Sequence, residues 1–80
     1  MRLDKFLKQS RLIKRRTVAN DACDGGRVLV NGRAAKASYS VAAGDILELR
    51  FGQRVLKAEV LSVSENVKPT DAPAMYRELI

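Results

Sequence analysis

Arg11-Leu12-Ile13-Lys14-Arg15-Arg16-Thr17 is the stretch that decides how this chain folds. Leu12-Ile13 reads as an apolar plug between two cationic flanks, the pattern of a turn joining two short helices with a basic outer surface. Outward on the N-terminal side, Leu3, Phe6 and Leu7 fall at i, i+3 and i+4, an apolar stripe of helical period. Arg2, Lys5 and Lys8 lie on the other side of that helix, which should end near Gln9-Ser10. On the C-terminal side a second helix is expected over about 14–24, burying Val18, Ala19, Ala22 and Cys23. No Ser, Thr, Asp or Asn stands immediately before Lys14, so this helix lacks the usual cap. Gly25-Gly26 end it, because glycine adopts the left-handed conformation cheaply.

From Arg27 the period becomes two. Val28 and Val30 point one way and Arg27 and Leu29 the other, and Asn31-Gly32 follows as a type I′ hairpin turn. The return strand should cover 33–37, with further strands over 46–51 and 55–63, separated by turns at Ala43-Gly44-Asp45 and Gly52-Gln53. The pattern breaks near Lys68-Pro69-Thr70-Asp71. Asp71 would cap a last helix, with Pro73 in its first turn and Met75, Tyr76, Leu79 and Ile80 on one apolar face. The expected fold is α+β: a two-helix helix–turn–helix packed on a small twisted, mostly antiparallel sheet, with a short C-terminal helix. The expected division is a domain over 1–65 and a tail over 66–80.

Ten of the 15 Lys and Arg residues lie in the first 36 positions, with only three acidic residues among them. The other 44 residues hold five cations and six acids, so the net charge of +6 belongs to one region. Lys14-Arg15-Arg16 sits at a helix start, where cations oppose the macrodipole, and Arg11, Lys14 and Arg15 repel one another. Such an arrangement points to a polyanion.

Several functions are disfavoured by the count. One cysteine, Cys23, forms no internal disulfide and leaves too few thiolates for structural zinc. Histidine is absent, and no carboxylates form a close catalytic pair. No enzyme activity, cofactor or metal is therefore expected. No apolar run approaches a membrane span, and the charged N-terminus lacks the apolar core of a signal peptide, so the cytoplasm is the expected compartment.

RNA is favoured over DNA. The short helices lack a base-reading set for the major groove, and Phe6, Tyr39, Phe51 and Tyr76 are too scattered for a stacking platform. Folded RNA, recognised through its phosphates, remains. The expected RNA-binding residues are Arg2, Asp4, Lys5, Lys8, Arg11, Lys14, Arg15, Arg16, Thr17, Asn31, Arg33 and Lys36. Asp4 is expected to orient an arginine or accept from a base or ribose rather than meet a phosphate.

Arg2-Leu3-Asp4-Lys5-Phe6-Leu7, Arg16-Thr17-x-Ala19, Gly26-x-Val28-x-Val30-Asn31-Gly32 and Gly44-Asp45-Ile46 together resemble the alpha-L RNA-binding domain first described in ribosomal protein S-four. The resemblance implies two helices on a small sheet, with RNA met by the helix–turn–helix and the first hairpin. By position, Arg2, Asp4, Arg16 and Thr17 match family residues that face RNA. Arg11 departs from the family's usual glycine, and Lys14-Arg15 from its usual small hydroxyl residues. Ser10 to Thr17, Arg50-Phe51-Gly52-Gln53 and Ala74-Met75-Tyr76 further resemble the stand-alone RqcP family of bacterial ribosome quality control. That resemblance implies a ribosome-associated protein, monomeric off the ribosome. It implies binding to rRNA and peptidyl-tRNA on obstructed large ribosomal subunits. It also implies support for a partner protein that recruits alanyl-tRNA for C-terminal alanine tailing. One alternative is a heat-shock-type factor that recycles large subunits carrying a nascent chain, a related family that usually bears a longer basic extension. RNA-modifying enzymes often carry this domain too, but they need a catalytic domain for which 80 residues leave no room.

Overall fold

Helix α1 (Leu3–Gln9) forms where the apolar stripe places it, with Leu3, Phe6 and Leu7 fully buried. Its first donors receive no side-chain cap. Loop carbonyls take them instead: Leu3 N–H donates to the Tyr39 carbonyl at 2.7 Å and Asp4 N–H to that of Ala37 at 3.2 Å. A helix start satisfied from a distant loop is fixed in place by that loop. The computed structural model describes residues 1–63 and 74–79.

α1 ends at Ser10, and Arg11 follows in the left-handed region at φ 66°. Glycine is favoured there, since a β-carbon in that conformation costs about 1–2 kcal/mol. Arg11→Gly should therefore raise stability by about 1 kcal/mol, read as a higher urea midpoint with an unchanged m-value. A lower midpoint would show that the Arg11 side chain contributes more to folding than its backbone costs.

Helix α2 (Arg16–Asp24) starts two residues later than the sequence suggests, because Arg15 is extended at φ −117°, ψ 133°. With no capping side chain and three adjacent cations, nothing extends the helix backward. Ala19, Ala22 and Cys23 are buried as expected, but Val18 is 46% exposed and lies off the buried stripe. The helix stops in a Schellman motif: Arg27 N–H reaches the Ala22 carbonyl and Gly26 N–H that of Cys23, with Gly26 at φ 80°.

The sheet is antiparallel, in the order β2-β1-β3-β4-β5. β1 (Val28–Val30) and β2 (Arg33–Ala34) flank Asn31-Gly32, whose φ values of 53° and 86° are the two positive angles of a type I′ turn. β2 is shorter than the expected 33–37. β3 (Ile46–Phe51) turns through Gly52-Gln53 into β4 (Arg54–Val60). β4 stops before Leu61, because Leu61 and Ser62 turn their N–H groups to the Met75 carbonyl. Val28, Val30, Leu47, Leu49 and Val60 join α1 and α2 in one core, and Ala58 is buried on the sheet as well.

The α+β class and the helical pair on the sheet stand; the C-terminal helix does not. Tyr76–Leu79 is strand β5, paired to β4 from Lys57↔Leu79 to Val60↔Tyr76. Spacing alone made Met75, Tyr76 and Leu79 a helical face. The open edge of β4 offers unpaired backbone groups, and pairing with them overrides that local pattern. Met75 still reaches the core, at 1% exposure. The expected cap Asp71, Pro73 and Ile80 lie outside the described residues.

Candidate nucleic-acid interface

Asp4 is the centre of the site. Its side chain is 3% exposed, and both carboxylate oxygens accept hydrogen bonds. Oδ1 accepts from Arg2 Nε at 3.1 Å and from Lys5 N–H at 2.8 Å. Oδ2 accepts from Asn20 Nδ2 at 3.2 Å, Arg16 Nε at 3.4 Å and Arg2 Nη2 at 3.4 Å. Burial pushes the carboxyl pKa up, but the bonds from Arg2, Asn20, Arg16 and the Lys5 backbone outweigh it and hold Asp4 below the ordinary carboxylate value. The group is thus an anion at neutral pH.

Both arginines remain about half exposed, at 50% and 49% of side-chain surface. A buried carboxylate therefore holds two guanidinium groups, one from the residue before α1 and one from the start of α2, while each side chain stays about half exposed. Guanidinium planes held this way suit phosphate oxygens, since less rotamer freedom is lost on binding. Asp4, Arg16, Thr17, Asn20 and Asp21 line a shallow cleft beside them. Asn20 is not among the residues the sequence pattern singles out. The available signal was its position four residues after Arg16, which puts both on one face of α2.

The remaining expected residues divide into two groups. Lys8, Arg11, Lys14, Arg15 and Thr17 are exposed around the helix turn, and Lys5 is half-buried. Arg33 and Lys36 are exposed on the hairpin side and line a groove with Asn31 and Tyr39. Asn31 has a structural duty: its Nδ2 donates to Asp45 Oδ1 at 3.2 Å and its Oδ1 accepts from Ile46 N–H at 2.9 Å. That amide braces the first hairpin against the start of β3.

The loop after β2 joins the two groups. Val41 N–H donates to the Met1 carbonyl at 2.9 Å, Arg2 pairs with Ser40, and Asp24 Oδ1 accepts from Ala37 N–H at 2.8 Å. The hairpin groove is consequently locked to the start of α1, where Arg2 and Asp4 sit. Cys23 takes no part: burial, then the charges of Asp4 and Asp24, push its thiol up to about 12, so it stays protonated within the core. Among the described residues no His, Cys, Asp and Glu side chains gather into a metal-holding group, and no helix is long and apolar enough to cross a membrane.

Residues 1–47 match the S4 domain. Over 76 residues the chain is 53% identical to the RQC P-site tRNA stabilizing factor of Halalkalibacterium halodurans, which spans 95% of this chain and 86% of that protein. Identity to the Bacillus subtilis protein of the same name is 51% over 76 residues, with 95% and 88% covered. The trimeric structure of Vibrio cholerae heat shock protein 15 superposes with a TM-score of 0.88 at 35% identity, covering 99% of this chain and 81% of that one.

Proposed function

The chain belongs to the S4 domain family and, with the relatives it matches over most of its length, to the RQC P-site tRNA stabilizing factors, and from that premise we propose that it is an RNA-binding factor of bacterial ribosome quality control. In this reading it works without catalysis. It holds peptidyl-tRNA and large-subunit rRNA together on an obstructed large ribosomal subunit in the cytoplasm. A partner protein that recruits alanyl-tRNA then extends the stalled chain with alanine. The observation that carries the proposal is the Arg2–Asp4–Arg16 arrangement, two half-exposed guanidiniums fixed by one buried carboxylate. Around it, Lys5, Lys8, Arg11, Lys14, Arg15 and Thr17 supply the helix side of the RNA surface, and Asn31, Arg33 and Lys36 the hairpin side.

Binding by phosphate contact releases counterions, so affinity should fall steeply with salt. Arg16→Ala should weaken binding of tRNA and rRNA fragments alike and lower the slope of log K against log salt by about one unit. A filter-binding titration with wild-type affinity and slope at every salt would remove Arg16 from the interface. The cellular role is tested by pulling the tagged protein from growing bacteria. Large-subunit rRNA together with tRNA supports it, whereas tRNA or mRNA without ribosomal subunits leaves RNA binding but discards quality control.

The likeness to heat shock protein 15 favours one second reading, a factor that recycles large subunits carrying a nascent chain. Loss of C-terminal alanine from stalled chains in a deletion strain separates the two, because subunit recycling alone does not require tailing.

A further inference from the structure

The groove beyond Asn31-Gly32 has a composition that phosphate binding alone does not explain. Arg33 and Lys36 bring cations, and Ser38 a hydroxyl, but Tyr39 brings an aromatic ring that is 40% exposed. Tyr39 is not among the residues that build or pack against the core, whereas Phe6 is buried in it at 0% exposure. The backbone of Tyr39 is held at both ends. Its N–H donates to the Lys36 carbonyl at 3.0 Å, closing a turn, and its carbonyl accepts from Leu3 N–H at 2.7 Å. The next residue, Ser40, bridges to Arg2. The ring therefore stands on a backbone fixed to the start of α1, and it lines one groove with the cations of Arg33 and Lys36.

An aromatic on an anchored backbone beside phosphate-binding cations is the arrangement that takes an unpaired base: the ring stacks on its face while the cations meet the flanking phosphates. Resting on the RNA-binding reading above, we infer that this groove is a nucleotide subsite that captures one unstacked base of the bound RNA on Tyr39, with Arg33 and Lys36 on the adjoining phosphates. The helix side would then supply affinity for the RNA backbone, and the groove a preference for RNA with a base free to be taken.

Two RNA hairpins with identical stems, one fully paired and one with a single bulged adenine, test this with the full chain. Wild type should favour the bulged RNA roughly 5- to 150-fold, the range that stacking one base supplies. Tyr39→Ala should abolish that preference while keeping the affinity for the paired RNA, and Tyr39→Phe should retain it. Arg16→Ala should weaken both RNAs and leave their ratio unchanged. The chain has no Trp and two Tyr, so in Tyr76→Phe the emission of Tyr39 can be read alone and should be quenched by the bulged RNA only. Equal binding of both hairpins by wild type overturns the subsite and leaves the RNA reading intact. Failure to bind either hairpin or ribosomal RNA overturns both. Quenching by free AMP as strong as by the bulged RNA would mean a mononucleotide pocket and also overturns it.

Discussion

Asp4→Ala should lower RNA affinity roughly 10- to 100-fold, equivalent to about 1.4–2.8 kcal/mol, although Asp4 itself faces no solvent. The substitution leaves both arginines charged but free of their common acceptor, so each must be ordered at the moment of binding. Additivity distinguishes this from a direct contact. If Asp4 acts through Arg16 and Arg2, then Asp4→Ala on an Arg16→Ala background should lose less than the single losses combined. Simple addition would mean that Asp4 does not act through Arg16. Stability should fall as well, by about 1.5–3 kcal/mol, because an ionised buried acceptor of several donors is removed. The sign of the pH dependence follows from the lowered folded pKa. The contribution of Asp4 is complete above the ordinary value of 3.8 and is lost as pH falls through the still lower folded value. Urea melts of wild type should thus weaken below about pH 4, and Asp4→Ala should show a flatter acid limb. An acid limb as steep as that of wild type would assign the loss to other carboxylates.

Phe6→Ala should have the largest effect on folding. Phe6 is the largest fully buried side chain and lies in the one core shared by both helices and the sheet. Removing a buried ring costs about 3–5 kcal/mol. An 80-residue domain has only about 4–12 kcal/mol in total, so much of the reserve is lost. A thermal melt followed by circular dichroism should show Tm lower by roughly 12–40 °C. The RNA deficit of this variant should track its unfolded fraction and vanish where an osmolyte restores the fold. That of Asp4→Ala should persist in the folded protein. A drop of only a few degrees would mean that the core refills the space around Phe6.

The parts legible in the sequence were those decided by neighbours along the chain. Leu3, Phe6 and Leu7 give α1, Gly25-Gly26 its successor's end, and Asn31-Gly32 the first hairpin, because helical stripe, cap and turn chemistry all act within a few residues. The sequence pattern puts the start of α2 two residues early, since no capping residue marks it. The spacing in β5 suggests a helix, since its strand character comes from the edge of β4, some twenty residues away. At the site, the basic residues were visible as charge and Asp4 as a partner for an arginine. Its burial against Arg16 and Asn20 is not visible there, because those contacts span 12 and 16 residues and exist only once the helices pack. Tyr39 looked like an isolated aromatic until the loop after β2 brought it to the start of α1.

The two ends of the strand order govern behaviour at high concentration. β2 is two residues long and begins with Arg33, while β5 is four residues long and carries Arg77 and Glu78, with Arg77 paired to Glu59 of β4. A ladder that brief, studded with charge, is a poor template for a strand from another molecule. Aggregation by sheet extension is thereby discouraged at both borders. A concentrated solution of the folded protein should gain no cross-β signal on prolonged incubation, while β5-deleted chains, with seven-residue β4 laid bare, should acquire it.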